Sequence, residues 1–447
     1  MNYKKSSKQN PFQGLHTFLL LWSTQAFSSL GSSMTSFALI IWSYEQKGSA
    51  LTTALLSICS YAPYVILSIF AGALSDRWNK KYTMLACDSF AAACTVGVLL
   101  LLKTGNLEIW HLYILNGLNG LMNTIQQPAS DVSVSLIAPK EQYQKVSGMR
   151  AFSNSLVTIL TPVIASAVLA FAGLDAVILF DLATFATAFV TLACFIKIPQ
   201  IRTKEAAQES VWKAAKSGLR FLRDHRGILD MILFLAAINL TASMYNAALP
   251  AMLLSREGGS QTALGLVNTC AGLANVAGSI LISFCPPPKS RVRVICNALL
   301  FSMSTENLLL AFGRSLPVWC LGAILGWLTI PAMNANMDVL FRTHIPVEMQ
   351  GRVYSARNTL QFFTIPVGYL LGGLLIDKVC EPWMALQSDG SLPVRLFGSG
   401  KGTGAALLFF GLAVLGITTC LIFRNDRQIW NLERTDAVPT DSGEIGI

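Results

Sequence analysis

Long windows without a single Asp, Glu, Lys or Arg dominate this sequence of 447 residues. A helix of about twenty apolar residues crosses a lipid bilayer, and nine charge-free windows approach or exceed that length. Only 13% of the residues are charged, about half the share in soluble domains. The sequence therefore predicts an all-α integral membrane protein and excludes a soluble enzyme, a disordered chain and a collagen-like one. The windows are 9–44, 48–75, 109–130, 151–174, 231–255, 258–288, 315–337, 358–376 and 402–423.

Three further apolar runs, at 82–102, 176–196 and 292–312, carry only a few ionisable groups and bring the predicted number of transmembrane helices to twelve. With the N-terminus in the cytoplasm, 26 of the 33 Lys and Arg residues lie in cytoplasmic segments and 7 outside. This asymmetry is what the positive-inside rule predicts. The net charge of +9 is thus interpreted as a topology signal, with both termini cytoplasmic and no nucleic-acid partner.

An internal repeat divides the predicted helices into two groups of six. At an offset of 207 residues, the segment 131–150 aligns with 338–357, with six identities in twenty positions. This indicates two six-helix, pseudo-symmetric halves related by an axis along the membrane normal. The predicted division is an N-terminal half at 1–196, a cytoplasmic amphipathic linker at 197–226, a C-terminal half at 227–423 and a cytoplasmic tail at 424–447.

The loop after the second predicted helix carries the strongest local motif. It reads Gly72-Ala-Leu-Ser-Asp76-Arg77-Trp-Asn-Lys80-Lys81. Gly72 allows close helix approach, and an aspartate at the end of a neighbouring helix is stabilised by that helix's dipole. The motif resembles the cytoplasmic GxLxDRxGRK motif of the major facilitator superfamily and lies where that family places it.

The resemblance implies a conformational latch. In the family, the motif aspartate caps the eleventh helix, and a basic residue pairs with an acid on the fourth. For this chain the latch residues would be Gly72, Asp76, Arg77, Lys80, Lys81 and Asp131. The repeat adds arginines that open the fifth and eleventh helices at equivalent positions. These arginines, Arg150 and Arg357, are interpreted as forming ion pairs at the gate with nearby acidic residues. The predicted gate residues are Glu141, Arg150, Asp338, Glu348 and Arg357.

Buried carboxyls are the candidates for coupling to protons. Inside a bilayer an ionisable residue is costly and therefore a functional candidate. Asp181 and Glu306 lie deepest in the predicted helices, and each is either a proton carrier or a carboxyl satisfied by hydrogen bonds between helices. Asp88 is interpreted as a structural carboxyl because Lys80 and Lys81 are near.

Polar residues at mid-helix depth predict the wall of a substrate cavity. A mostly apolar pocket with few polar anchors suits a bulky amphiphile. The candidates are Gln25, Asn239, Tyr245, Asn246, Asn334, Asn336 and Gln361.

Further segments, such as QPASDVSVSLIAPKEQ and GGLLIDKVCEPWM, resemble the drug:proton antiporter branch that contains bacterial macrolide efflux proteins. That branch carries a GPxxGG motif in its fifth helix, whereas this chain reads Thr161-Pro-Val-Ile-Ala-Ser166. The resemblance implies a monomeric, proton-coupled exporter of small amphiphilic compounds, such as macrolide drugs, in the bacterial cytoplasmic membrane. A siderophore or lysophospholipid transporter of the same fold is the alternative. No catalytic residues, metal site or cofactor are expected, and the proton gradient would supply the energy.

Overall fold

The computed structural model describes residues 11–137, 143–198, 211–345 and 347–435. Glu141 therefore lies outside the described residues. At 68–77 and 347–352, among other positions, only the backbone is described, so the packing around Gly72 and the side chains of Asp76, Arg77 and Glu348 also lie outside the description. The described part of the chain is helical and contains no strand.

Five helices build the N-terminal part. Ser49 caps α2 by accepting a hydrogen bond from the amide of Thr52 at 3.1 Å, and Asn79 caps α3 through the amides of Lys81 and Tyr82. Such side-chain caps satisfy amides that have no partner within the helix. The helices are α1 (Pro11–Lys47), α2 (Ala50–Arg77), α3 (Lys80–Lys103), α4 (Ile109–Ile137) and α5 (Tyr143–Val190), which continues into a π-turn (Thr191–Phe195).

Shorter helices alternate with long ones in the rest of the chain. They are α6 (Val211–Asp224), α7 (Arg226–Ser255), α8 (Gln261–Phe284), α9 (Arg291–Phe312), α10 (Leu316–Leu328), α11 (Ile330–His344), α12 (Val347–Phe362), α13 (Thr364–Leu375), a π-turn (Ile376–Cys380), α14 (Glu381–Ala385), α15 (Leu392–Phe397), α16 (Thr403–Arg424) and α17 (Arg427–Thr435).

Nine helical stretches in the described residues are long and apolar enough to cross a membrane. One of them, Phe152–Phe195, has 44 residues, about twice what one crossing needs. It reverses at Gly173, whose φ of 77° is open to glycine but strained for other residues, so this stretch makes two crossings. With α1 and α4, of 37 and 29 residues, the described helices account for the twelve predicted crossings.

The helices pack as two groups that meet mainly along two pairs of helices, with smaller contacts of α1 and α2 with α7. Within the first group α1 packs on α5 and α2 on α4; within the second α7 packs on α13 and α16, α8 on α10, and α9 on α16. The groups meet where α2 contacts α13 and where α5 contacts α8. We call the end where α1 begins and α16 ends the terminal face, and the end where α1 meets α2 the opposite face.

Two short helices cover the terminal face. Helix α6 lies within the predicted linker and packs on α12 with Leu222 buried. Helix α17 packs on α7 and α9 with Ile429 fully buried. The Glu433 carboxylate accepts hydrogen bonds from the Val292 amide at 2.7 Å and from the Ser290 hydroxyl, which caps α9. The first part of the predicted tail is therefore packed on the bundle, and the four-part division of the chain stays a prediction.

Candidate functional site: a polar cavity closed at one end

A cavity of about 570 Å³ lies among α1, α2, α3, α4 and α13. Its α1 wall is a stripe of serines at positions i, i+1, i+4, i+5 and i+8, the spacing that places side chains on one helical face. Each hydroxyl can donate and accept a hydrogen bond. The cavity therefore has a hydroxyl-rich wall rather than the mostly apolar one expected from the sequence. The stripe consists of Ser28, Ser29, Ser32, Ser33 and Ser36.

Amides and one carboxyl complete the polar lining. Asp88 on α3 lines the cavity, and the Gln126 amide donates to its Oδ1 at 2.6 Å. Asn123 and Gln127 on α4 also line the cavity and are exposed, although they stand in the interior of a long helix. Solvent therefore reaches the α4 wall. Among the described lining residues, Asp88 carries the only formal charge.

Of the predicted cavity residues, Gln25 alone lines this cavity. Asn246 lines a smaller cavity of about 130 Å³ between the two helix groups. The smaller cavity shares Ile40, Ser57 and Tyr369 with the main one. The two cavities therefore adjoin, and the main one lies almost wholly in the first helix group.

The other five predicted cavity residues do not line the main cavity. Asn334 is exposed on α11; Tyr245, Asn336 and Gln361 are buried; the Asn239 amide donates to the Gln361 carbonyl at 3.4 Å. The Asn336 amide donates to the Ala332 carbonyl, and the Gln361 side chain accepts from Arg357. Sequence gives the depth of a residue along its helix, but the packing decides which way it faces, and these five residues do not line the main cavity in this conformation.

The opposite face is closed by a carboxylate that bridges the two helix groups. Asp377, in the π-turn that follows α13, accepts hydrogen bonds from the first amides of α2, those of Ala50 at 3.0 Å and Leu51 at 2.9 Å. It also accepts from the Ser49 hydroxyl at 2.6 Å. A carboxylate at a helix N-terminus satisfies unpaired amides and is favoured by the helix dipole. This contact was not predicted from the sequence.

Further contacts close the same face. The Tyr44 hydroxyl on α1 donates to the Ala251 carbonyl on α7 at 3.0 Å, and the Gln261 amide on α8 donates to Glu45. At Gly373, a Cβ would lie 2.7 Å from the Leu51 Cα, so α13 approaches α2 closely only because that position is glycine. The Tyr61 and Tyr369 rings stack between the groups with centroids 6.3 Å apart.

The α5–α8 contact explains how the chain tolerates the departure from the GPxxGG pattern. Ser166 and Pro162 on α5 face Gly265 on α8, where a Cβ would lie 2.4 Å from the Ser166 Oγ and 2.8 Å from the Pro162 carbonyl oxygen. The Ser166 hydroxyl donates to the Gln261 carbonyl at 3.3 Å. The glycine that permits close approach is thus supplied by the partner helix.

An arginine outside the spanning helices anchors the loops of this face. Burial and, to a smaller extent, the positive charge of Arg314 together lower the pKa of Arg256 to about 10, so Arg256 stays protonated at neutral pH. Its guanidinium donates to the carbonyls of Leu310 at 3.3 Å and Phe397 at 2.8 Å. It also lies over the Trp319 ring. These bonds hold α15 and the end of α9 together.

The two predicted proton-coupling residues are both buried but differ in position. Asp181 accepts a hydrogen bond from the cavity-lining Ser32 at 2.9 Å, so one hydroxyl separates it from the cavity. Glu306 lies among α7, α9 and α10, where its Oε1 accepts from the Tyr245 hydroxyl at 2.6 Å and from the Trp327 indole at 3.1 Å. Glu306 does not line the cavity.

The structure brings some of the predicted latch and gate residues into contact with each other. Arg150 forms an ion pair with Asp131 at 2.5 Å. The Lys81 ammonium donates to the carbonyls of Ala193 and Ile196, both at 2.8 Å, which is a contact within the first helix group. The Lys80 ammonium donates to the Trp78 carbonyl at 3.3 Å.

The second predicted gate pair differs from the first. Between the described side chains of Asp338 and Arg357 no ion pair forms. Arg357 instead donates from Nε to Gln361 at 3.0 Å and lies 4.6 Å from the centroid of the Phe341 ring. The repeat therefore preserves the positions of these residues but not their pairing in this conformation.

A family model and several known proteins match most of this chain. A model described as the Major Facilitator Superfamily matches residues 21–368. Macrolide efflux protein A of Streptococcus pyogenes is 23% identical over 375 residues, which cover 83% of this chain and 92% of the relative. The multidrug efflux pump Tap of Mycolicibacterium fortuitum is 22% identical over 404 residues, covering 87% of this chain and 95% of Tap.

A solved structure shares the architecture. The crystal structure of the nucleoside transporter NupG, as a D323A mutant, superposes with a TM-score of 0.67 at 14% sequence identity. The superposition covers 91% of this chain and 98% of that one. At this identity the likeness concerns the fold alone.

Proposed function

Because the chain belongs to the Major Facilitator Superfamily and is a membrane-embedded transporter rather than an enzyme, we propose that it exports small amphiphilic drugs of the macrolide type. Homologues named as macrolide and multidrug efflux proteins support drug export. The observation that carries the proposal is the solvent-accessible cavity among the helices, closed at one face by contacts between the two helix groups.

In this proposal the two groups rock about the cavity, as in alternating access. The Asp377 contact, the tyrosine stack and the α5–α8 contact support a state closed at the opposite face. The positive-inside interpretation makes that face the outer one, so the structure corresponds to a state that takes substrate from the cytoplasmic side. Release requires the contacts at the opposite face to break.

Protons are proposed as the energy source, with Asp181 and Glu306 as their carriers. Burial disfavours the charged form of a carboxyl, which lets such a group exchange a proton during a cycle. The hydrogen bond from Ser32 to Asp181 supports coupling to the cavity directly, because substrate that displaces the serine hydroxyl changes the environment of the carboxyl. Glu306 would act through the packing of α7, α9 and α10.

Accumulation of labelled macrolides in pump-deficient bacteria that express the chain tests the proposal. We expect lower accumulation than in cells with the empty vector, and loss of the difference when a protonophore is added. Equal accumulation in both, with the protein shown to be in the membrane, would contradict drug export. A reduction that persists with the protonophore would contradict proton coupling.

Variants assign the coupling residue. Asp181→Asn and Glu306→Gln remove the exchangeable proton but keep size and hydrogen-bonding capacity. A carrier residue is expected to lose proton-driven export while binding of the substrate to purified protein persists. Asp389→Asn, at an exposed loop position, is the control for loss of one negative charge. Export unchanged in a variant would remove that residue from the mechanism.

A further inference from the structure

We propose that Asp88 is the binding site for the positively charged amine of the substrate, so that the cavity selects organic cations that also carry several hydroxyl or carbonyl groups. The inference rests on the proposed function, since it names the substrate class of the same cavity. The carrying observation is the lone carboxyl among the described cavity-lining residues, in a wall that includes no described Lys or Arg.

The charge of Asp88 lacks a protein counter-ion on the described wall. Its Oδ1 accepts from the Gln126 amide at 2.6 Å, which is a neutral donor and leaves the charge uncompensated. When a ligand fills the cavity and displaces water from the carboxylate, the loss of hydration is costly unless the ligand pairs with the charge. A substrate ammonium that enters the cavity can supply the missing charge and donate a charge-assisted hydrogen bond.

A second neutral amide lies at the same place. Gln25, on α1, lines the cavity, and its side-chain amide lies within reach of the Asp88 carboxyl. Neither this amide nor that of Gln126 carries a charge, so the Asp88 carboxylate has no counter-ion on the described wall. Asp88, Gln25 and Gln126 thus come from three helices and form one polar end for the substrate.

The rest of the cavity suits the body of such a cation. The serine stripe offers hydroxyls along α1, which match hydroxyl and carbonyl groups spaced over a large ring. The tyrosine pair Tyr61 and Tyr369 presents aromatic surface to an apolar face. A neutral hydrocarbon would leave both the carboxyl and the hydroxyls unsatisfied, and a substrate anion would be repelled by Asp88.

Binding to the purified full-length chain in lipid nanodiscs tests the inference with three probes. They are a macrolide with a basic dimethylamino sugar, the same macrolide with one N-methyl group replaced by an acetyl group so that the nitrogen becomes a neutral amide, and tetraphenylphosphonium, a lipophilic cation. We expect Asp88→Asn to weaken binding of the two cations about tenfold or more. We expect the acetylated macrolide to bind the unaltered chain and the variant alike.

Two further variants keep the result interpretable. Asp88→Glu retains the charge and is expected to retain at least part of the preference for cations. Glu108→Gln removes an exposed carboxylate outside the cavity and is expected to change nothing. Melting temperatures of all variants identify any that fail to fold.

The outcomes separate this inference from the proposed function. Equal weakening of the amine and acetylated macrolides by Asp88→Asn, or no weakening of either cation, would overturn the inference while leaving macrolide export intact. Absence of binding by any cation to the unaltered chain would also overturn it. If tetraphenylphosphonium binds in an Asp88-dependent manner and neither macrolide binds, the cation site stands and the macrolide assignment fails.

Discussion

At the scale of single residues, Asp377 holds one end of the molecule closed. Its carboxylate accepts three hydrogen bonds from the start of α2, although the two elements lie more than 300 residues apart in sequence. Loss of a helix N-cap costs about 0.5–2 kcal/mol. Because this cap exists only when α13 and α2 are together, that free energy favours the closed state over the open one.

Asp377→Ala is therefore expected to shift the population toward the state open at the opposite face by up to about thirtyfold. Distances between spin labels on the ends of α2 and α13 at the opposite face, measured by pulsed electron resonance, report the shift. Asp389→Asn serves as a control with the same change of charge. An unaltered distance distribution in Asp377→Ala would show that the carboxylate does not set this equilibrium.

Lys81 illustrates how a residue within the predicted latch acts inside one helix group. Its ammonium donates to two carbonyls at the end of the π-turn after α5, where a cation also complements the helix dipole. We expect Lys81→Met to lower the free energy of unfolding of the first group by about 2 kcal/mol without a change in the spin-label distances. A shift in those distances at unchanged melting temperature would instead indicate a role between the groups.

Individual site residues could be predicted from sequence only in part. The depth of Glu306, Asp181 and Gln25 follows from their distance to the helix ends, and all three are buried or line the cavity. Asp88 was interpreted as structural because two lysines are near in sequence, yet the α3 helix turns it toward the cavity. The partner of Glu306, Tyr245, is 61 positions away, and no local pattern signals such a contact.

At the scale of helices, glycines on one partner decide how closely two helices approach. Small residues at helix contacts in membranes allow backbones to come together. Here Gly265 on α8 faces Ser166 and Pro162 on α5, and no side chain fits between them. The absence of glycines from the α5 pattern is thus compensated across the contact, which a motif search confined to α5 misses.

Gly265→Val is expected to separate α5 from α8 and to reduce drug export strongly, because an added Cβ already overlaps the Ser166 Oγ and the Pro162 carbonyl oxygen. Gly411→Val on α16 is the matched control, since a Cβ there meets no atom within 4 Å. Export is measured as accumulation of labelled macrolide, with membrane levels checked by immunoblot. Equal export by both variants would show that the close approach is not required.

The helices themselves were largely predictable, for physical reasons that differ among them. Long apolar windows require helices because no water is available to satisfy the backbone within a bilayer. The reversal at Gly173 falls at the end of the apolar window 151–174, close to the boundary at which the sequence predicted separate helices. The serine stripe of α1 follows helical spacing and was visible in the sequence. Serines within an apolar window also occur where helices pack against each other, however, so the stripe alone does not predict a cavity.

At the scale of the whole molecule, the two helix groups are unequal despite their repeat. The cavity belongs mainly to the first group, whereas the second holds a buried hydrogen-bonded cluster around Glu306. The Asp131–Arg150 pair also lacks a counterpart between Asp338 and Arg357. Under the proposed function, we infer that substrate binds chiefly to one half and that the other half moves against it. A sequence repeat predicts two equivalent halves, so this asymmetry could not be predicted from the sequence.

The central claim is that a proton gradient drives drug movement through this chain alone. It is tested most directly with the purified protein in proteoliposomes, with an imposed pH difference and a labelled macrolide. The account predicts transport against the direction of proton flow, abolished when an ionophore collapses the gradient. Transport that is indifferent to the gradient, or absent from vesicles in which the protein is folded and binds the drug, would contradict it.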